Sequence, residues 1–283
     1  MTLLSNRLAR PILATILALT MVPAASAQNS ASNLLDMLQL FRPSATGSYL
    51  AGRQALDELR TDEAARYFNE AAQGDWDNPV LVERSFIAFA ANGQIGQSAQ
   101  VAKRLKELVG QNELADLVIA TEALKERRYG AASSTLETVG QDTFTGITAG
   151  VLRAWALVGE NRYDEADAIL TKLGDTGLQD FLVFHRALMA EVAGKKDKAL
   201  ELAAQAFENE PYVARMVEVY SRMLANDGRF DEAAEVIATF EDQGLTHPLV
   251  TVVKEAVEAK RRPGVFATNV QLGASEMFHG IGV

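Results

Sequence analysis

The chain has 283 residues, of which 48% are hydrophobic, 7% are aromatic and only 7 are proline. This composition supplies enough apolar surface for a sizeable core and excludes a disordered or low-complexity chain. The 27 basic and 37 acidic residues give a formal net charge of −10, which opposes binding to nucleic acid and to anionic membrane surfaces. Because cysteine is absent, disulfides, zinc–thiolate sites and thiol nucleophiles are excluded.

Residues 1–27 are predicted to be a signal peptide. Arg7 and Arg10 supply a positive start, residues 12–22 form a short apolar run, and Ala25-Ser26-Ala27 fits the small-x-small cleavage pattern. Cleavage after Ala27 leaves 25 basic and 37 acidic residues and a formal charge of −12. The apolar run is too short for a normal membrane span, and the alternative is an uncleaved N-terminal anchor. We therefore expect a periplasmic protein of a bacterium, with no membrane span in the mature chain.

Residues 28–45 are predicted to be a linker with a short helix. The segment begins polar and then carries several apolar residues before Pro43, namely Leu34, Leu35, Met37, Leu38, Leu40 and Phe41. We expect this helix to cover the start of the folded region. The alternative is that the segment is a partner-binding motif.

Residues 46–248 contain an internal repeat. A small residue recurs at spacings of 34, 34, 34, 33 and 34 residues, at Ala64, Ser98, Ala132, Ala166, Ala199 and Ala233. In three copies an aromatic residue precedes this alanine by three positions, at Tyr129, Tyr163 and Phe230. A fixed period of this length is typical of a solenoid, in which each unit buries its apolar face against its neighbours.

The period resembles that of the tetratricopeptide repeat, whose unit is two antiparallel helices in 34 residues. The family has small residues at its eighth and twentieth positions, where the two helices approach closely, and a large apolar residue at its twenty-fourth. Small residues fall at the eighth position in four units, at Gly52, Ala120, Ala154 and Ala187. Large apolar residues fall at the twenty-fourth position in four units, at Phe68, Leu136, Leu170 and Ile237.

Two units depart from this pattern. The second has Phe86 at the eighth position and Ala102 at the twenty-fourth, and the sixth has Ser221 at the eighth. The second unit is therefore expected to be distorted or to carry a shifted helix. The resemblance as a whole implies an all-α fold, a right-handed α-solenoid of about six helix-turn-helix repeats over residues 46–248.

Residues 249–283 are predicted to add one helix and an incomplete or degenerate repeat. Residues 249–262 have the pattern of a further first helix, which Pro263 and Gly264 end. The stretch as far as Leu272 is weakly patterned, and residues 276–283 resemble the opening of another repeat helix without its second half. Because solenoids normally end in a polar capping helix, we expect either a chain shortened relative to a longer repeat protein or an end that a partner covers.

The sequence carries no motif for catalysis, cofactor binding or metal ligation. His185, His247 and His279 lie far apart, and no HExxH, Walker, GxGxxG or GxSxG pattern occurs. Residues 75–79 offer oxygen atoms for a cation but lack the glycine and the final glutamate of a calcium loop, so they are interpreted as a turn between repeats. We therefore expect a protein that is not an enzyme and needs no cofactor or metal.

The resemblance also implies a binding site, because first helices line a concave groove in tetratricopeptide proteins. The positions that match give the predicted groove: Tyr49, Arg53, Ile87, Leu117, Thr121, Val151, Trp155, Phe184, Leu188 and Arg222. Further matched positions are Leu56, Glu83, Lys125, Val158, Glu191 and Asn226. Trp155 and Phe184 would be its aromatic anchors, and the alternative is that both belong to the core between repeats. An extended peptide or a helix is the expected ligand.

These patterns predict a protein–protein interaction scaffold or adaptor in the bacterial envelope. Its expected partner is a protein, whose identity does not follow from the sequence, and neither does the oligomeric state. Two alternatives stay open. One is a binder of a small envelope ligand such as a peptidoglycan peptide, and the other is an accessory subunit of an envelope enzyme.

Overall fold

The computed structural model describes residues 44–140 and 143–282, and within these ranges the chain is all-α, with no β-strand. The predicted signal peptide, its cleavage site and residues 28–43 of the predicted linker lie outside the described residues, so these expectations stay predictions. In the part that is described, no helix has both the length and the apolar character needed to cross a bilayer.

Twelve helices form six consecutive pairs, each with a first and a second helix. The pairs are α1 (Ala45–Asp57) and α2 (Thr61–Gly74), α3 (Pro79–Ala91) and α4 (Ile95–Val109), α5 (Glu113–Lys125) and α6 (Tyr129–Leu136), α7 (Phe144–Gly159) and α8 (Tyr163–Lys172), α9 (Gln179–Val192) and α10 (Lys196–Asn209), and α11 (Ala214–Asp227) and α12 (Phe230–Glu241). A short 3₁₀ turn, Leu173–Thr176, follows α8, and two further helices are α13 (Pro248–Glu258) and α14 (Val270–Gly282). The predicted all-α solenoid is confirmed.

The six register residues explain how each pair packs. All of them lie in the second helices and are buried. In the second unit the register residue is a serine, and its Oγ donates a hydrogen bond to the Phe86 carbonyl oxygen at 2.9 Å, which satisfies a polar group in the core.

The second unit also exchanges large and small side chains between its two helices. In the first unit Gly52 packs directly on the Phe68 ring, whereas the second unit has Phe86 on its first helix and Ala102 on its second. All of these residues are buried, so the exchange conserves core volume, and α3 and α4 form a regular pair.

The six first helices and α13 end in the same turn. A residue with positive φ follows each of them, at Leu59, Gly93, Arg127, Asn161, Gly194, Gly228 and Lys260. In every case the N–H of the next residue donates to the carbonyl oxygen five residues earlier, which is the Schellman arrangement. The seventh turn ends α13, which packs against α11 and α12, so α13 has the place of a seventh first helix.

After α13 the chain leaves the repeat. Residues 261–269 form neither helix nor strand, and the main contacts of α14 are with α7 and α9. First helices of neighbouring units contact each other, as α5 with α7 and α7 with α9. Helix α14 therefore packs on first helices of the solenoid that precede α13 by several helices in the sequence.

Candidate functional site: the first-helix groove

The predicted groove divides into two halves according to what covers it. The N-terminal half comprises its residues on α1, α3 and α5, and the C-terminal half comprises its residues on α7, α9 and α11. We call residues 261–282 the C-terminal segment. The main contacts of this segment are with helices of the C-terminal half, and it also contacts the adjoining end of α5 and the start of α6.

Residues of the N-terminal half are partly accessible to solvent. Arg53 is exposed, while Tyr49, Ile87, Leu117 and Thr121 are half-buried. Tyr49 packs edge-on against a phenylalanine of α2 with 5.7 Å between ring centroids, which fixes its ring at the groove surface. The Thr121 hydroxyl donates to the Leu117 carbonyl oxygen within α5 at 2.7 Å. Among the further matched positions here, Leu56 and Lys125 are exposed and Glu83 is half-buried.

Residues of the C-terminal half are largely covered. Val151, Trp155 and Leu188 are fully buried, Phe184 is 5% exposed, and Arg222 is partly buried. The same hydrophobic cluster contains residues of α14, namely Val270, Ala274 and Met277. The packing of α14 therefore adds a helix from outside the repeat to the apolar centre of the predicted groove.

Gly273 of α14 lies close against Trp155 of α7. A Cβ atom placed at residue 273 would overlap the indole ring, so the backbone of α14 packs directly on the tryptophan. The apolar residues Val270, Ala274 and Met277 have spacings of four and three residues, which places them on one helix face beside this glycine. Trp155 is thus a contact between the solenoid and the C-terminal segment.

Beneath the indole lies a histidine among aromatic rings. The His185 ring is 6.1 Å from Trp155 and 4.5 Å from Phe181, both edge-on. Burial lowers the pKa of His185 to about 3, so the ring is neutral. Among the described residues, neither ring nitrogen of His185 nor the Trp155 Nε1 has a hydrogen-bond partner. Burying such polar atoms unpaired is unfavourable.

Arg222 and Asn226 of α11 hold the non-helical part of the C-terminal segment. The Arg222 Nη1 donates to the Pro263 carbonyl oxygen at 3.1 Å, and the Asn226 Oδ1 accepts from the Gly264 N–H at 2.9 Å. These bonds satisfy backbone groups of a stretch that has no helix or strand to pair with.

An ion-pair network on α11 orients the basic side chains of this site. The buried Glu218 carboxylate pairs with Arg215 at 2.7 Å and with Arg222 at 2.9 Å. Arg215 also pairs with Glu276 of α14 at 2.9 Å, and its guanidinium lies 5.0 Å from the centre of the Phe266 ring. Arg215 and Glu218 were not among the predicted groove residues, although their opposite charges at i, i+3 and i+7 on one helix are visible in the sequence.

Two carboxyl groups at the interface have raised pKa values. Burial raises the pKa of Glu191 to about 7, and this effect is partly offset by the Phe266 backbone N–H and by Arg222. Burial also raises the pKa of Glu276, against the opposing effect of Arg215. Both groups lie where the C-terminal segment meets the solenoid, so docking of the segment and protonation favour each other.

Gln271 connects the first turn of α14 to the third unit. Its Nε2 donates to the Leu124 carbonyl oxygen at 3.0 Å and to the Tyr129 hydroxyl at 2.9 Å. Leu124 belongs to the last turn of α5, where carbonyl groups have no partner within the helix. The C-terminal segment therefore spans α11, α9, α7 and the end of α5.

Comparison with known proteins supports the fold. No protein-family model matches the sequence, and no curated protein matches it. A tetratricopeptide repeat protein from Parabacteroides merdae superposes with a TM-score of 0.54 at 15% identity, covering 83% of this chain and 92% of that one. The pilF structure from Pseudomonas aeruginosa superposes with a TM-score of 0.51 at 12% identity, covering 77% and 97%. The chain thus has the tetratricopeptide-repeat fold, and the resemblance seen in the sequence is confirmed at the level of the fold.

Proposed function

We propose that this chain is a protein-interaction scaffold or adaptor of the bacterial envelope that binds a helix or an extended peptide in the predicted groove. The observation that supports this proposal is that α14 packs on residues of the predicted groove. Its backbone packs on Trp155, an apolar stripe flanks that contact, and Arg215 pairs with a carboxylate of the helix. This arrangement is the helix-in-groove mode of peptide recognition, formed within one chain.

The N-terminal half of the groove offers surface to a partner directly. Tyr49, Ile87 and Leu117 are half-buried, so each presents part of its side chain, and the exposed Arg53 adds a positive charge on α1. A partner helix with apolar residues and a carboxylate would suit this surface. The location in the periplasm is part of the proposal and is supported by the predicted signal peptide.

We expect no enzymatic activity. Strongly perturbed pKa values often indicate catalytic groups, but burial is the principal cause of the shifts at His185 and Glu191. His185 is fully enclosed by aromatic rings, and Glu191 lies against the C-terminal segment. These features favour a packed interface over a reaction centre.

The experiment is affinity capture of residues 28–283 from periplasmic extract after crosslinking in cells. The groove variant combines Tyr49→Ala, Ile87→Ala and Leu117→Ala, which remove partly exposed side chains, whereas substitution of the buried Trp155 would also damage the core. A Val252→Ala variant is the matched control, because Val252 is exposed on α13 outside the predicted groove. We expect a partner that wild type and control retain and the groove variant loses. Equal capture by all three would contradict binding in the groove.

A further inference from the structure

We infer that the C-terminal segment is a displaceable internal ligand, which holds the C-terminal half of the groove until a partner helix takes its place. That partner carries a glycine where Gly273 meets Trp155 and a carboxylate where Glu276 meets Arg215. The inference rests on the proposed function and deepens it, because it names the helix that the groove accepts and the contact that regulates access.

The C-terminal segment is attached to the solenoid without being part of a repeat. The seventh Schellman turn, at Lys260, completes α13, and the chain then continues through residues 261–269 without helix or strand. The segment contacts helices that precede it by many residues, and it lies outside the six helix pairs. Its release therefore breaks no pair of the solenoid.

The glycine requirement defines the shape of the ligand. Because a Cβ atom at residue 273 would overlap the indole ring, only a glycine lets a helix backbone approach Trp155 this closely. Val270, Ala274 and Met277 then fill the space on either side. A competing helix needs the same order, with an apolar residue three positions before the glycine and others one and four positions after it.

The ion pair between Arg215 and Glu276 determines the charge that the ligand must carry. Glu218 holds Arg215 and Arg222 through contacts made entirely within α11, so both arginines stay oriented after the segment leaves. Arg215 would then lose the Glu276 carboxylate and the contact with the Phe266 ring. A partner carboxylate three residues after the glycine restores this ion pair, and a lysine there would be repelled.

The docked segment is held loosely enough to leave. Trp155, His185, Arg222 and Gln271 each have a buried nitrogen or oxygen atom with no hydrogen-bond partner in the described part of the chain. Helix α14 also contains Gly273, Gly280 and Gly282 within 13 residues, which lowers its intrinsic helix propensity. A partner helix with fewer glycines, or with acceptors for the unpaired nitrogen atoms of Trp155 and Arg222, would bind in preference.

The first test measures opening by thiol labelling, which is clean because the chain contains no cysteine. An Ala274→Cys variant places a thiol on the buried face of α14, and Leu272→Cys places an exposed thiol on the same helix. An Ala203→Cys variant places a buried thiol in α10, within the solenoid. We expect the thiol at position 274 to react at least about tenfold faster than the one at 203, because it is reached by local opening. Equal rates at 274 and 203 would overturn the inference.

The second test supplies the ligand in trans, as a fluorescein-labelled peptide of residues 262–282. In a Gly273→Leu chain the tethered segment cannot dock, so we expect the peptide to bind at least about tenfold more tightly than to wild type, where the tethered copy competes at high effective concentration. A peptide carrying the same Gly273→Leu change should bind neither chain. Peptide affinity that is equal for the two chains would overturn the inference.

A second variant that releases the C-terminal segment is needed in case the Gly273→Leu chain misfolds. Glu276→Arg places a like charge opposite Arg215 on a partly buried position, and it leaves the Trp155 contact unchanged. It should raise peptide affinity in the same direction. The labelling and peptide tests need no partner protein, so their outcome does not depend on the outcome of the capture experiment. A captured partner with no opening at residue 274 would overturn the inference and leave the proposed function standing.

Discussion

The two halves of the predicted groove have the same construction and differ in exposure. On α1, α3 and α5 its residues range from half-buried to exposed, whereas on α7 and α9 Val151, Trp155 and Leu188 are fully buried. Both halves are built from first helices of the same repeat pattern, and the main contacts of α14 are with α7 and α9 of the second half. The repeat thus determines which positions line the groove, whereas a segment outside the repeat determines which of them are available to a partner.

The largest difference in stability is expected between variants of Trp155 and Tyr49, one aromatic residue from each half. Trp155→Ala removes a fully buried side chain beneath α14 and should lower the free energy of unfolding by about 4 kcal/mol. Tyr49→Ala, in the N-terminal half, removes a half-buried side chain and should cost about 1 kcal/mol. Urea unfolding followed by circular dichroism measures both. Equal losses would show that the halves are packed alike.

Next is the glycine that α14 presents to the indole. Gly273→Leu forces a side chain into the Trp155 ring and should lower the free energy of unfolding by about 3 kcal/mol, because the docked helix is lost. Gly282→Ala is the control, since a Cβ at position 282 meets no atom within 4 Å. That change should leave stability unchanged or raise it slightly. A Gly273→Leu chain as stable as wild type would contradict the close contact.

A smaller effect is expected in the ion-pair network of α11. Glu218→Gln leaves Arg215 and Arg222 without their shared carboxylate and should cost about 2 kcal/mol, less than for a fully buried pair because the arginines are partly exposed. Glu232→Gln removes the exposed partner of Arg229 and should leave stability nearly unchanged, because water and salt screen an exposed pair. Thermal unfolding of the two variants side by side measures the difference. Similar costs would mean that Glu218 has no special role at the interface.

The smallest effect is expected from pH, which should change how tightly the C-terminal segment docks. The pKa of Glu191 is raised to about 7 in the docked state, so docking favours its protonated form. Docking is therefore strongest below the ordinary glutamate value of 4.5 and weakens as the pH rises through 7. The groups that face Glu191 are Arg222 of α11 and the Phe266 backbone N–H, both of which moderate the shift, and Lys196 of α10 lies at the same small cavity.

We expect opening, measured as labelling at Ala274→Cys relative to Leu272→Cys, to rise by about tenfold between pH 5 and pH 8. The ratio removes the pH dependence of the thiol itself. Adding Glu191→Gln to the Ala274→Cys and Leu272→Cys chains should remove most of the increase. An unchanged pH profile in these double variants would show that another group controls docking.

The sequence predicted most of the solenoid because the repeat is encoded locally. Small residues at Ala64, Ala132, Ala166 and Ala233 set the helix crossings, and the six helix pairs follow the predicted period. The family pattern also pointed to Glu191 and Asn226, both of which contact the C-terminal segment. These features depend on neighbours within one or two units, so their spacing is visible in the chain.

The position of α14 could not be predicted in the same way. Its contacts join residues far apart in sequence, such as Gln271 with Leu124, and no period links them. Residues 263–272 appeared weakly patterned because most of them lie before the helix, which starts only at Val270. The start of this helix is capped locally, since the Asn269 Oδ1 accepts a hydrogen bond from the Leu272 N–H at 3.0 Å. The burial of Trp155 likewise depends on a glycine more than a hundred residues away.

The most direct test of the account is native-state hydrogen exchange of the unmodified chain at low urea concentration, resolved by peptide. We expect amides of α14 to exchange through an opening that leaves α7 and α9 protected, so that the C-terminal half of the groove is exposed before the solenoid unfolds. Exchange of α14, α7 and α9 together, only at global unfolding, would show that the C-terminal segment is a permanent part of the core and would contradict it.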